Sequence, residues 1–407
     1  MTLQENSPEY LTDEQKAGIE RGLKNIDEGR VISHEHVKKT LWFMNNTQLL
    51  FQPFHLAEIT LNNRIVMAPL TRRRAMEPEL AADELIALYY RQRASAGLII
   101  SEGSQISPEG YGYSGSPGCF TTKQIEGWKK ATKAVHDAGG KIFLQLWHVG
   151  PFSHRLLQPE GRLPLAASAV RPPGEVLTPS GRKDYDIPRP MTIDEIHRTV
   201  RDFGRAAKNA VQAGFDGVEV HGAHGYIIDQ FIMDGTNKRT DEFGGPVENR
   251  ARFLFMVLDE VLKNIPRGKT GLRLSPKPYR PGLEDSDPEK TYGYIVDRLN
   301  HYRLAYLHLS EIMPPETRLN HPEESFMPFY RKIYNGTLIS CGGHSKESAE
   351  RMLQNGEADL IAFGKPFISN PDLVERFKSG VPVAGPDKET FYHGGEKGYV
   401  DYPVYGG

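Results

Sequence analysis

Cysteine is almost missing from this sequence: Cys119 and Cys341 are its only two among 407 residues. Two thiols cannot build a disulfide framework, and they fall short of the four ligands an iron–sulfur cluster usually takes. Long apolar runs are missing too. No stretch approaches the ~18 residues that a membrane-spanning helix needs. Nor is either charge in excess, since 50 Lys and Arg face 52 Asp and Glu and leave a net −2. That balance offers no electrostatic case for nucleic acid or a membrane surface as partner. The opening residues Met1-Thr2-Leu3-Gln4-Glu5-Asn6 are polar and lack the apolar segment of a secretory signal. The expectation is a soluble, cytoplasmic, globular protein with room for one large core or two domains.

Short apolar runs alternate with helix-like segments. The strand candidates are Ile65–Leu70, Leu98–Glu102, Ile142–Trp147, Gly217–Val220, Thr270–Leu274, Ala305–Leu309, Thr337–Cys341 and Leu360–Phe363. They are continuous and apolar, as strands of a parallel sheet covered on both faces must be. Thr192–Gln212 and Ser345–Asn355 read as intervening helices; Ser345 suits an N-cap and Gly356 a stop. Eight alternations predict an α/β fold of the (β/α)8 TIM-barrel type, with an open doubly wound sheet as the alternative. One connection is too long for that rhythm. Residues 150–190, rich in Pro, Gly and Ser, are expected to form a loop or hairpin cap over the mouth after the third strand. Residues 1–43 differ from the rest. A capping box at Thr12-Asp13-Glu14-Gln15 and the stripe Ile19, Leu23, Ile26 predict a helical extension and interaction segment, dispensable for catalysis. The barrel domain is placed at 44–407.

The densest chemistry is the run His221-Gly222-Ala223-His224-Gly225-Tyr226, directly after the fourth strand. Carboxyl ends of barrel strands carry the active site. Two imidazoles and a phenol there can hold an oxygen and deliver a proton; the bland reading is polar residues at a strand end. Other strand ends add to the mouth. The first brings Ala68-Pro69-Leu70-Thr71-Arg72, the third Gln145, Trp147 and His148, the fifth Arg273, the seventh Gly342-Gly343, and the eighth Gly364-Lys365. Gln145 suits a heterocycle edge, and glycines after the last two strands suit a phosphate. Together they fit a large planar ligand with a phosphate tail. His221 and His224 also resemble half a metal site, but two further ligands are lacking and Glu219 is expected to point elsewhere, so no metal is expected. No G-x-S-x-G elbow follows a strand. Gly110-Tyr111-Gly112-Tyr113-Ser114-Gly115 matches a dinucleotide pattern, yet Ser116-Pro117-Gly118 follows it instead of a helix.

From about Leu50 to Tyr405 the chain resembles the old yellow enzyme family of FMN-dependent ene-reductases, including the 12-oxophytodienoate reductases. The resemblance rests on APLTR at 68–72, YYRQRAS at 89–95, QLWH at 145–148, AGFDGVEVHGAHGYIIDQF at 213–231, RTDEFGG at 239–245, ENRARF at 248–253, GLRLSP at 271–276, NPDLVERF at 370–377 and GYVDYP at 398–403. It implies non-covalent FMN, NADPH or NADH as electron donor, and reduction of the C=C bond of an α,β-unsaturated carbonyl or nitro compound. It implies that Thr71 bonds the flavin near its reactive nitrogen and that Gln145 and Arg273 hold the pyrimidine edge. Gly343, Gly364 and Lys365 would hold the phosphate, and Ala68, Pro69, Leu70, Gly103 and Gly342 complete the cofactor set. His221 and His224 would bind the substrate oxygen, Tyr226 would donate the proton, and Tyr113 and Tyr392 would line the substrate pocket. A flavin dehydrogenase with an iron–sulfur cluster is the rival within enzymes. Lys365 departs from the family's usual Arg, Pro151 from a common Arg, and Gly103 from a common Ala. Thr12–Leu41 distantly resembles the toxin-binding tail of small bacterial antitoxins, which implies a partner. Monomer and dimer both remain open.

Overall fold

Eight strands, all parallel, close into a barrel: β1 Ile65–Met67, β2 Leu98–Gln105, β3 Ile142–Trp147, β4 Gly217–Gly222, β5 Thr270–Leu274, β6 Tyr306–Ser310, β7 Leu338–Cys341 and β8 Leu360–Phe363. The computed structural model describes residues 48–277, 282–311 and 325–405. The expected amino-terminal helices and the boundary at 43/44 lie outside them. Closure is made by β8 on β1, where Phe363 pairs with Met67, and by β3 on β4, where Gln145 pairs with Glu219. An open sheet has no such closing pair, so the doubly wound alternative falls. β1 is shorter than the sequence predicts. Ala68 still donates its N–H to the Phe363 carbonyl at 3.0 Å, but Pro69 has no N–H to continue the ladder.

Among the described residues, eight helices form the outer ring: α1 Glu84–Gln92, α2 Thr122–Asp137, α3 Ile193–Gln212, α4 Arg252–Leu262, α5 Pro288–Leu299, α6 Met327–Ile333, α7 Lys346–Gln354 and α8 Leu373–Ser379. Their ends are chemically marked. Thr121, Thr192 and Ser345 open α2, α3 and α7 with reciprocal capping boxes, and left-handed Gly380 ends α8. In α3 the buried Ile196, Val200, Phe203, Ala207 and Ala210 recur at three- and four-residue steps, the face turned to the barrel.

Strand alternation sorts the core into two shells. Ile99, Ile142, Leu144, Val218, Leu272 and Leu307 face outward into the cluster shared with the helices. Val66, Leu98, Ile100, Phe143, Tyr306, Ile339 and Leu360 face inward and cluster with Leu56, Ile59 and Leu61. Those last three belong to an antiparallel hairpin, Phe54–Leu56 with Ile59–Leu61, which plugs the amino-terminal end of the barrel. The opposite end stays open for the site. There the long connection is ordered. Glu175–Thr178 and Gly181–Asp184 form an antiparallel hairpin, and Leu165–Ala166 pairs with Arg189–Pro190. Val176 and Tyr185 anchor it in one apolar cluster with Trp147, Phe152, Met233 and Leu283. Among the described residues no helix is long and apolar enough to cross a membrane.

Candidate functional site

The same alternation that fills the barrel floor with apolar side chains lifts a polar stack toward the mouth. Gln145, Glu219 and His308 form its lower layer; Trp147, His221, Arg273, Ser310 and Cys341 lie above. Glu219 therefore does not point away from His221, as the sequence reading expects, because residues two apart share a strand face. It is committed elsewhere. Gln145 Nε2 donates to Glu219 Oε1 at 2.8 Å, and His308 Nδ1 lies 2.8 Å from Glu219 Oε2. Burial alone would discharge both members of the His308–Glu219 pair. Their attraction wins, holding His308 above and Glu219 below the usual range. The result is a buried imidazolium–carboxylate pair. Among the described residues no group of three or more His, Cys, Asp or Glu could hold a metal ion.

Arg273 is buried over this pair. Its Nη2 donates to Ser310 Oγ at 3.3 Å and to Cys341 Sγ at 3.5 Å, while its Nε has no hydrogen-bond partner. Burial pushes the Cys341 thiol up, but the cations Arg273 and His308 outweigh it and hold the thiol below its ordinary value. The Trp147 indole N–H is likewise buried without a partner. Unpaired buried donors cost free energy, so a polar ligand edge is what they lack.

His221 ends up neutral: burial comes first, then the positive charges of Arg273 and His308, and together they hold it well below the usual imidazole range. Its Nδ1 accepts the Ala223 N–H at 3.3 Å, which leaves the ring proton on Nε2. His224 has a left-handed backbone, φ 62°, fixed by its N–H bond to Ser275 Oγ at 2.8 Å. The two imidazoles stand edge to face, centroids 5.4 Å apart. Tyr226 packs 5.0 Å from His221 and 5.1 Å from Trp147, just before the short helix Ile227–Ile232. Beneath this loop Asp229 accepts the Gly225 N–H at 2.8 Å and the Tyr292 hydroxyl at 2.5 Å; burial pushes its carboxyl up to about 7.

A cavity of 790 Å³ opens above these groups, walled by Pro69, Leu70, Thr71, Tyr113, Trp147, Val176, Leu177, His224, Tyr226, Lys365 and Tyr392 among others. The loop carrying the dinucleotide-like glycines is not a nucleotide turn. It brings Tyr113 flat against Trp147, centroids 5.5 Å apart. His221, Gln145, Arg273, Ala68, Gly103, Gly342, Gly343 and Gly364 lie outside the cavity wall. Gly343 has φ 79°, and Lys365 begins a short helix, Lys365–Ser369, directly after β8. Tyr392 sits at the rim, 53% exposed. The sequence reading missed the roles of Ser310, His308, Ser275 and the hairpin residues Val176 and Leu177. Counting β6 by twos puts His308 and Ser310 on the inward face, so that signal was present; the hairpin's contacts left none.

Gly103 carries a steric argument. The β2–β3 register shifts between Ile100 and Gly103, and a Cβ added at Gly103 would lie 2.6 Å from the Trp147 ring. Gly103→Ala is expected to push the indole toward Tyr226 and to cost about 1–3 kcal/mol, as overpacking does. Urea unfolding followed by tryptophan fluorescence measures both effects. An unchanged midpoint and spectrum would show that the ring relaxes freely.

Comparison with known proteins gives the same fold. The sequence profile of the NADH:flavin oxidoreductase / NADH oxidase family matches residues 49–384. A rice protein (Oryza sativa subsp. japonica) called putative 12-oxophytodienoate reductase 2 is 42% identical over 365 residues, 87% of this chain and 93% of its own. The structure of morphinone reductase in complex with tetrahydroNAD superposes with a TM-score of 0.82 at 45% identity, covering 88% of this chain and 98% of that one. That of the old yellow enzyme homologue from Zymomonas mobilis gives 0.83 at 43%, covering 87% and 99%.

Proposed function

The chain belongs to the NADH:flavin oxidoreductase / NADH oxidase family, the old yellow enzymes, and from that premise we propose that its barrel mouth reduces the activated C=C bond of α,β-unsaturated carbonyl or nitro compounds. It is an NAD(P)H-dependent flavin oxidoreductase with FMN as cofactor. The residues present fit that cofactor. Arg273 Nε and Trp147 Nε1 are buried donors without protein partners, and a Cβ added at Gly364 would still find its nearest neighbour 3.5 Å away. In this reading Gln145 and Arg273 hold the pyrimidine edge. Thr71 bonds near the reactive nitrogen, Ala68, Pro69, Leu70 and Gly103 line the ring, and Gly342, Gly343, Gly364 and Lys365 hold the phosphate. Lys365 offers a point charge where a guanidinium would grip in a fork. Bound FMN supplies the hydride that reaches the substrate's Cβ.

The protein's own groups do the rest. Negative charge develops on the activating oxygen as Cβ is reduced. His221 and His224 aim N–H donors at it, as an oxyanion hole does. Tyr226 gives its hydroxyl proton to Cα. Trp147, Tyr113, Tyr392, Val176 and Leu177 shape the apolar space around the alkene. The observation that carries this reading is the pairing of a neutral His221 with His224 and Tyr226 over the Arg273 cation.

The purified protein is expected to be yellow, with one FMN per chain released by heat. It is expected to bleach with NAD(P)H without oxygen and to recolour on adding cyclohexenone. A colourless protein that takes up no added FMN, or a bleached one that cyclohexenone leaves bleached, refutes the proposal.

A further inference from the structure

His221 near the end of β4 and His224 in the loop that follows stand edge to face, yet their second nitrogens meet opposite partners. His221 Nδ1 faces a backbone donor, the Ala223 N–H. His224 Nε2 faces a hydroxyl, Ser310 Oγ, at 2.9 Å. The direction of that second bond follows from its other end. Ser310 Oγ also meets Arg273 Nη2 at 3.3 Å, and a guanidinium only donates. Ser310 therefore accepts there. Its own proton must go to an acceptor, since Ser310 is 3% exposed and a buried hydroxyl proton left unpaired is costly. Among the described residues, His224 Nε2 is the acceptor it meets. The sequence Arg273 → Ser310 → His224 is one-way, and with Nε2 as the acceptor the His224 ring carries its proton on Nδ1. His221 carries its proton on Nε2.

We propose that Ser310 is a positioning residue that sets the tautomer of His224, so that the two histidines offer donors from opposite ring nitrogens to one substrate oxygen. Ser310 touches neither substrate nor reacting atoms in this assignment. It acts through His224, and it links the oxygen clamp to the cation under the cofactor site. Hydrogen bonds in such a chain polarise one another, so the Arg273 charge strengthens the His224 donor. The role assigned to the histidines rests on the proposed reaction; the tautomer does not.

Two measurements on the FMN-bound enzyme test this. The first is the 15N spectrum of histidine-labelled protein, with His224 assigned by its substitution. The wild type is expected to show His224 protonated at Nδ1, and Ser310→Ala to show it moving to Nε2 or to a mixture. The second is binding of 4-nitrophenol, whose oxygen stands in for the developing anion. Ser310→Ala is expected to bind it about tenfold more weakly, the worth of one hydrogen bond. FMN affinity should stay within about twofold, because Arg273 keeps its Cys341 contact. A wild-type His224 protonated at Nε2, or a tautomer unmoved in Ser310→Ala, overturns the proposal. So does a loss of FMN affinity as large as the loss of phenol affinity, since Ser310 would then merely support Arg273. If Ser310→Ala fails to fold, the wild-type spectrum and the same pair of measurements on Ser310→Cys decide. An enzyme with the expected tautomers that reduces no enone leaves the Ser310 assignment standing and removes the proposed reaction.

Discussion

Replacing both His221 and His224 by alanine is expected to leave a folded, yellow protein whose reduced form reacts with cyclohexenone on the order of a thousandfold more slowly. One lost donor to a developing oxyanion costs about 3 kcal/mol, already about a hundredfold, and the double variant loses two that share one oxygen. The effects need not add, because the rings are 5.4 Å apart and serve the same atom. Reduction of the flavin by NAD(P)H should change far less, since no oxyanion forms in that step. Stopped-flow absorbance separates the two halves. A double variant that reoxidises with enone at the wild-type rate would show that neither ring touches the substrate oxygen.

Tyr226→Phe carries the second large effect. The ring contacts with Trp147, Phe152 and His221 survive the change, because they involve the aromatic body. Only the hydroxyl is lost. General-acid catalysis is worth roughly 10²–10⁴-fold, and enone reduction should fall by that order. Nitroalkenes should suffer less, because the nitronate left after hydride addition is stable enough to depart and take its proton from water. Steady-state rates on a matched enone and nitroalkene are the measurement. Equal slowing of both classes would make Tyr226 an orienting or packing residue.

Some of this site was plain in the residues. Alternating strands and helices, the cap at Ser345, and the cluster from His221 to Tyr226 are local patterns, and each sits where its spacing predicts. One feature reads differently for a local reason. Glu219 looked like a residue pointing elsewhere until the strand's period of two put it below His221. The glycine-rich run at 110–115 is loop, as Ser116-Pro117-Gly118 implies, and what the sequence leaves unsaid is that it lays Tyr113 against Trp147.

Composition, strand rhythm and family motifs thus determined by themselves the barrel class and the flavin cofactor, because both are written in short stretches of neighbouring residues. Only the tertiary structure decided which side chains meet across the lumen. His224 meets Ser310 from 86 residues away, and Glu219 meets His308 from 89. Strand alternation says that such residues face inward. It does not say which of the inward groups become partners. That depends on how the strands stagger when the sheet closes on itself, and closure is a property of the whole ring. The same closure puts Arg273 and His308 beside His221, and their charges join burial in holding that imidazole well below its usual range.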